Sequence, residues 1–173
     1  VTLGCTATTY CGIDAVSRLQ MAAFMLRVAN VVVPSVIDVE AAGGAIDPAT
    51  RTVLCQTADL PAVTYDRIAT MVADLSLSLT GQQSLAVQIV SSVDAGANWL
   101  VLHNQSPVLW GDASSRQHVT LTTNTLPHPL AQANIGTGES RRFGVSVIRA
   151  TSLTPTITDW TCHLQAVVRT RAE

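Results

Sequence analysis

Leu75-Ser76-Leu77-Ser78-Leu79-Thr80-Gly81-Gln82-Gln83-Ser84-Leu85-Ala86-Val87-Gln88-Ile89 sets apolar residues at every second position on both sides of a glycine-containing turn. A period of two is the signature of a strand with one face buried, so this stretch predicts two strands joined as a hairpin. The same alternation extends in both directions. Val119 and Leu121 alternate with His118, Thr120 and Thr122, and Phe143, Val145 and Val147 alternate with Gly144 and Ser146. Near the end, Cys162, Leu164, Ala166 and Val168 fall on one face and His163, Gln165 and Arg169 on the other. Weaker strand patterns lie near Val31 to Glu40, Thr52 to Gln56 and Trp99 to His103. About eight or nine strands result, with turns rich in Gly, Pro, Asn and Asp. The stretch Leu126 to Ser140, with Pro127, Pro129, Gly136 and Gly138, reads as a long loop. A mainly β protein follows: an antiparallel β-sandwich of jelly-roll type.

The N-terminal part breaks the pattern. Residues Ser17 to Ala29 predict a helix whose start carries a capping box of Ser17 and Gln20. Leu19, Ala22, Ala23 and Leu26 form one stripe and Met21, Phe24, Met25 and Val28 another, leaving little polar surface besides Arg18, Gln20 and Arg27. Such a helix needs cover on two sides. We therefore divide the chain into a short helical segment, residues 1–30, and a β-sandwich domain, residues 31–173. Because Val1 opens in what reads as the middle of a motif, the chain is expected to be a piece of a longer precursor.

At 173 residues one main core is the expectation. Charged residues make up 13% and hydrophobic ones 47%, so polarity rests on Ser, Thr, Asn and Gln, and an apolar chain of this kind is expected to hide surface against copies of itself. The net charge is −2 and all ten basic residues are Arg, scattered except for Arg141-Arg142. Without a basic stripe, nucleic acid is excluded as a partner class. The longest apolar runs, such as Val31-Val32-Val33, are too short to span a bilayer.

Cys5, Cys11, Cys55 and Cys162 form an even set that matches neither a common zinc spacing nor a redox CxxC. We pair Cys5 with Cys11 across a Thr-rich turn and Cys55 with Cys162; the alternative for the second pair is two buried free thiols. Disulfides imply an oxidising compartment, hence an extracellular or cell-surface location.

Two local motifs carry further expectations. Val1-Thr2-Leu3-Gly4-Cys5, Tyr10-Cys11 and Val16-Ser17-Arg18-Leu19-Gln20-Met21-Ala22-Ala23-Phe24-Met25-Leu26-Arg27 together resemble the S-layer homology family of bacterial surface modules, as the end of one repeat in its cysteine-containing form. Gly12 stands where family members often have Pro. Repeats of that family bind cell-wall polysaccharide, so the resemblance implies wall attachment, with Arg18 and Arg27 as the glycan contacts to test. Ser92-Val93-Asp94-Ala95-Gly96-Ala97-Asn98-Trp99 resembles the Asp-box, S-x-D-x-G-x-x-W. There Asp94 is expected to accept turn amides, Gly96 to take a positive φ and Trp99 to pack beneath the hairpin.

Catalytic motifs are missing: neither G-x-S-x-G, H-E-x-x-H nor a phosphate-cradling Gly loop occurs. His103, His118, His128 and His163 follow no metal spacing. Asp38, Glu40, Asp47, Asp59 and Asp66 are the carboxylates that Ca2+ would need, and we read them as solvated turn residues. Asn104-Gln105-Ser106 matches the glycosylation acceptor pattern, with Pro107 after it, and carries no weight. The expectation is a non-enzymatic structural subunit of an extracellular assembly, a fibre or surface layer, with no cofactor and no metal. The alternative is a polysaccharide-binding module in which Trp99, Trp110 and Trp160 contact sugar.

Overall fold

The computed structural model describes residues 19–25, 34–80, 83–102, 108–111, 116–123, 133–150 and 156–171; of residues 83, 84 and 108–111 only the backbone is described. Contacts divide the chain into two units, Val1–Val33 and Pro34–Glu173. In the first, residues 19–25 are helical, and Leu19, Met21, Phe24 and Met25 are all exposed. The rest of the predicted helix, together with Arg18, Arg27, Cys5 and Cys11, lies outside the described residues.

The second unit is a two-sheet sandwich of ten strands: β1 Ser35–Gly43, β2 Thr52–Gln56, β3 Arg67–Thr80, β4 Gln83–Ser92, β5 Leu100–Val101, β6 Val108–Gly111, β7 Arg116–Thr122, β8 Ala133–Ile135, β9 Arg142–Arg149 and β10 Thr156–Thr170. One sheet has the order β1-β10-β3-β7, with β8 beside β7 on the same flank of β3. The other has the order β2-β9-β4-β5, with β6 beside β5 on the flank of β4. Every pairing is antiparallel. The chain crosses repeatedly between the sheets, with β4, β5 and β6 together in one and β7 and β8 together in the other, and the resulting strand order is the double Greek key of a jelly roll.

The predicted alternation selects the core. Ala69, Met71, Ala73, Leu75, Leu77 and Leu79 of β3 face Leu85, Val87 and Ile89 of β4 and Phe143, Val145 and Val147 of β9, while Cys162, Leu164, Ala166 and Val168 complete the layer from β10. Cys55 and Cys162 are disulfide-bonded across the two sheets, Cα to Cα 6.0 Å.

Four expectations are corrected. The segment Leu75 to Ile89 is not a hairpin: β3 and β4 belong to different sheets, so their apolar rows oppose each other through the core instead of lying side by side. The alternation fixes which face of a strand is buried, but leaves its hydrogen-bonding neighbour open. The loop expected from Leu126 to Ser140 contains β8, whose Ala133 and Ile135 are buried against β3. The strand expected from Val31 runs instead from Ser35 just beyond Pro34, with residues 31–33 outside the described set. Trp99 to His103 yields only the two-residue β5.

Candidate functional site

The outer face of the β1-β10-β3-β7 sheet carries rows of polar side chains that register brings together. Glu40, His163, Asp74 and Thr120 lie across it in one row, and Ala42, Thr161, Ser76 and His118 in the next. A shallow depression of about 510 Å3 is lined by Glu40, Asp74, Ser76, His118, Thr161 and His163. His163 Nε2 meets Asp38 Oδ1, and its Nδ1 lies 4.0 Å from Asp74 Oδ2. Thr120 Oγ1 donates to Asp74 Oδ1 at 2.5 Å. Ser76 Oγ accepts from Arg116 Nε at 2.5 Å, and Arg116 Nη1 pairs with Asp159 at 2.6 Å. The Ser76 hydroxyl is thus held by a guanidinium, and the face as a whole is a charged, hydrogen-bonding surface. Among the described residues no three His, Cys, Asp or Glu side chains converge as a metal site.

Asp38 and Glu40, expected as turn acids, therefore stand on β1. Asp59 is held by Arg142 with two bonds of 2.9 Å. Asp66 Oδ1 accepts from the amide and hydroxyl of Thr137, at 2.9 and 2.8 Å, and these bonds hold its carboxyl below the usual range. Asp47 Oδ1 accepts from the amide of Ala49.

The second polar cluster is the turn from Ser92 to Trp99 between β4 and β5. Ser92 Oγ donates to Asp94 Oδ1 at 2.6 Å and accepts from the amide of Gly96 at 2.9 Å. Asp94 Oδ1 accepts from the amide of Asn98 at 2.9 Å, and its Oδ2 from Asn98 Nδ2 at 2.5 Å. Led by the Ser92 hydroxyl, these donors pull the Asp94 pKa down to about 2. Ala95 and Gly96 both have positive φ, 56° and 93°. Trp99 is half-buried, its ring over Gly144 of β9 and beside Gly96, so that a Cβ on either glycine would come within 3.3 Å of it. Arg51 Nη1 donates to the Trp99 carbonyl at 2.9 Å.

Of the residues singled out as glycan contacts, the Trp99 and Trp160 side chains are described, and Trp160 on β10 is partly buried with its ring against Gly43 and the core instead of standing on a loop. Trp110 is placed by its backbone on β6, opposite Ser84, and Arg18 and Arg27 lie outside the described residues. Asp74, Ser76 and Thr161 were not singled out. Alternation puts them outward, yet only strand order reveals that they share a surface with His163 and His118. No described helix is long and apolar enough to cross a membrane.

No protein-family model matches the sequence, and no curated protein does. Among solved structures, one of infectious bursal disease virus Gt strain is similar over 81% of this chain and 34% of its own, at 12% identity and a TM-score of 0.46. The infectious bursal disease virus VP2 subviral particle matches 100% of this chain and 42% of its own, at 10% identity and a TM-score of 0.39. A xylan-binding module, CBM15, matches 76% of this chain and 97% of its own, at 16% identity and a TM-score of 0.31. This chain therefore spans well under half of the viral chains, and at these scores none of the similarities carries a residue role or an activity to it.

Proposed function

We propose that this protein is a non-enzymatic structural subunit of an extracellular assembly, associating with copies of itself through the open edge of β1. The observation that carries the reading is that edge. β1 is nine residues long and is paired only with β10 among the described strands. Its inward side chains Ile37, Val39 and Ala41 pack on the core but stay partly exposed, and Val36 on the outer face is 59% exposed. An unpaired ladder of backbone N–H and C=O groups is a template for another strand. The inter-sheet disulfide supports an oxidising compartment.

Light scattering on the native protein tests this directly. The wild type is expected to form oligomers or polymers, and Val36→Lys, which adds a charge at the edge without entering the core, to shift it toward monomer. A wild type that remains a monodisperse monomer across concentrations overturns the reading.

A second reading, binding of polysaccharide, is favoured by Trp99, which offers part of its ring to solvent beside Gln56, Arg51 and the Arg142–Asp59 pair. The N-terminal likeness to S-layer homology repeats, with Arg18 and Arg27, supports attachment to cell-wall glycan in the same sense. Retention on wall polysaccharide that is lost in Trp99→Ala would make this the leading function.

A further inference from the structure

We infer that the assembly grows head to tail, β1 of one copy adding to β7 of the next so that the sheet β1-β10-β3-β7 continues from subunit to subunit. This inference rests on the self-association proposed above and names the surface that answers β1.

Direction is the first argument. β1 and β7 are the two flanks of a four-strand sheet whose neighbours all run antiparallel, so they run opposite to each other. A copy displaced along the sheet, with no inversion, presents β7 antiparallel to β1, and the alternation is unbroken. Among the described strands β7 is paired only with β3.

Charge is the second. The outer face of β1 displays Asp38 and Glu40, both exposed. In a symmetric β1–β1 pair centred on Val39, Asp38 of each copy faces Glu40 of the other; centred on Asp38, the two Asp38 carboxylates meet. Like charges directly opposite each other on a ladder destabilise it. The outer face of β7 instead shows Arg116, His118 and Thr120, none of them acidic. The register that sets Arg116 opposite Glu40 also sets His118 opposite Asp38 and Thr120 opposite Val36. On the inner face it sets Val119 opposite Ile37, extending apolar cover over a side chain that β1 leaves half-open. Arg116 already contacts Asp159 and Ser76 of its own subunit, so the acidic flank gains a donor fixed in place.

A heterologous contact that does not close generates a filament. Sheet twist of roughly 20–25° per strand makes that filament helical.

Two charge-inverted variants test the pairing in the full chain, each checked by circular dichroism for the native sandwich. One carries Asp38→Arg with Glu40→Arg and has two basic flanks. The other carries Arg116→Glu with His118→Glu and has two acidic flanks. Each alone is expected to need at least about tenfold more protein than the wild type to reach the same scattering mass, the shift that about 1.4 kcal/mol per contact produces. An equimolar mixture is expected to regain long polymers, because every junction then joins a basic flank to an acidic one. A mixture that halts at a one-to-one heterodimer would show like flanks meeting, β1 with β1 or β7 with β7. Variants that assemble like the wild type, or a mixture that stays dispersed, would also overturn the head-to-tail arrangement, and in all three cases wild-type self-association stands. A wild type that never assembles removes the function itself.

Discussion

Asp94 holds its turn together through donors that all lie within four residues of it, Ser92 before and Asn98 after. Its pKa in the folded chain is about 2 against an ordinary 3.8. A depressed carboxylate contributes stability that is fully present above the unfolded value and is lost as pH falls through the folded one. The Asn98 amide resonance is therefore expected to titrate near pH 2, with the turn loosening between about pH 4 and pH 2; in Asp94→Asn the titration disappears. A flat Asn98 profile in the wild type would contradict the hydrogen-bond assignment. This cluster was legible in the sequence because its members are adjacent in it: Asp94 accepts a turn amide and Gly96 takes a positive φ as expected, while the central part of Ser92 was not foreseen. The Asp38–His163–Asp74 contacts were not, since 125 residues separate Asp38 from His163 and only the placement of β10 between β1 and β3 joins them.

At the level of the strand, alternation named the buried residues of β3, β7 and β10 well, because burial of one face is a local property of a pleated chain, whereas β9 is buried on both faces from Phe143 to Val147, Ser146 included. It did not name partners. The Leu75 to Ile89 segment has the same pattern whether its halves pair or arch across a core, and the choice is made by strands far away: β10 and β7 occupy the flanks of β3, and β9, β5 and β6 those of β4. Short β8 escaped notice because three residues hold too little pattern to see, and of the strand expected over Trp99 to His103 the described residues keep Leu100 and Val101 as β5. One position in β9 shows how closely the strands and the turn from Ser92 to Trp99 fit. A Cβ at Gly144 would stand 3.0 Å from Val53 Cγ1, 3.1 Å from the Cys55 carbonyl oxygen and 3.2 Å from Trp99 Cζ3. The backbone oxygen cannot give way as a side chain can, so Gly144→Ala is expected to destabilise the sandwich by about 1–3 kcal/mol, read as a lower urea midpoint with an unchanged slope. A midpoint within error of the wild type would mean that β2 and Trp99 yield freely.

For the whole molecule the Cys55–Cys162 bond is the one covalent tie between the sheets among the described residues, spanning 107 positions. Closing a loop of about 100 residues in the unfolded chain is worth about 4–5 kcal/mol in the chain-entropy account. Replacing both cysteines with alanine, or adding reductant under mild denaturant, is expected to lower stability by about 2–5 kcal/mol. Equal midpoints with and without reductant would show the bond to be dispensable. The same tie decides how the domain behaves under tension. Ser35 sits beside Val168, so a pull on the two ends loads the β1–β10 ladder at its first rung and unzips it pair by pair toward Cys162. There the opening stops. The enclosed 107 residues, at up to ~3.5 Å each, hold back roughly 370 Å of chain that force cannot draw out until the sulfurs are reduced.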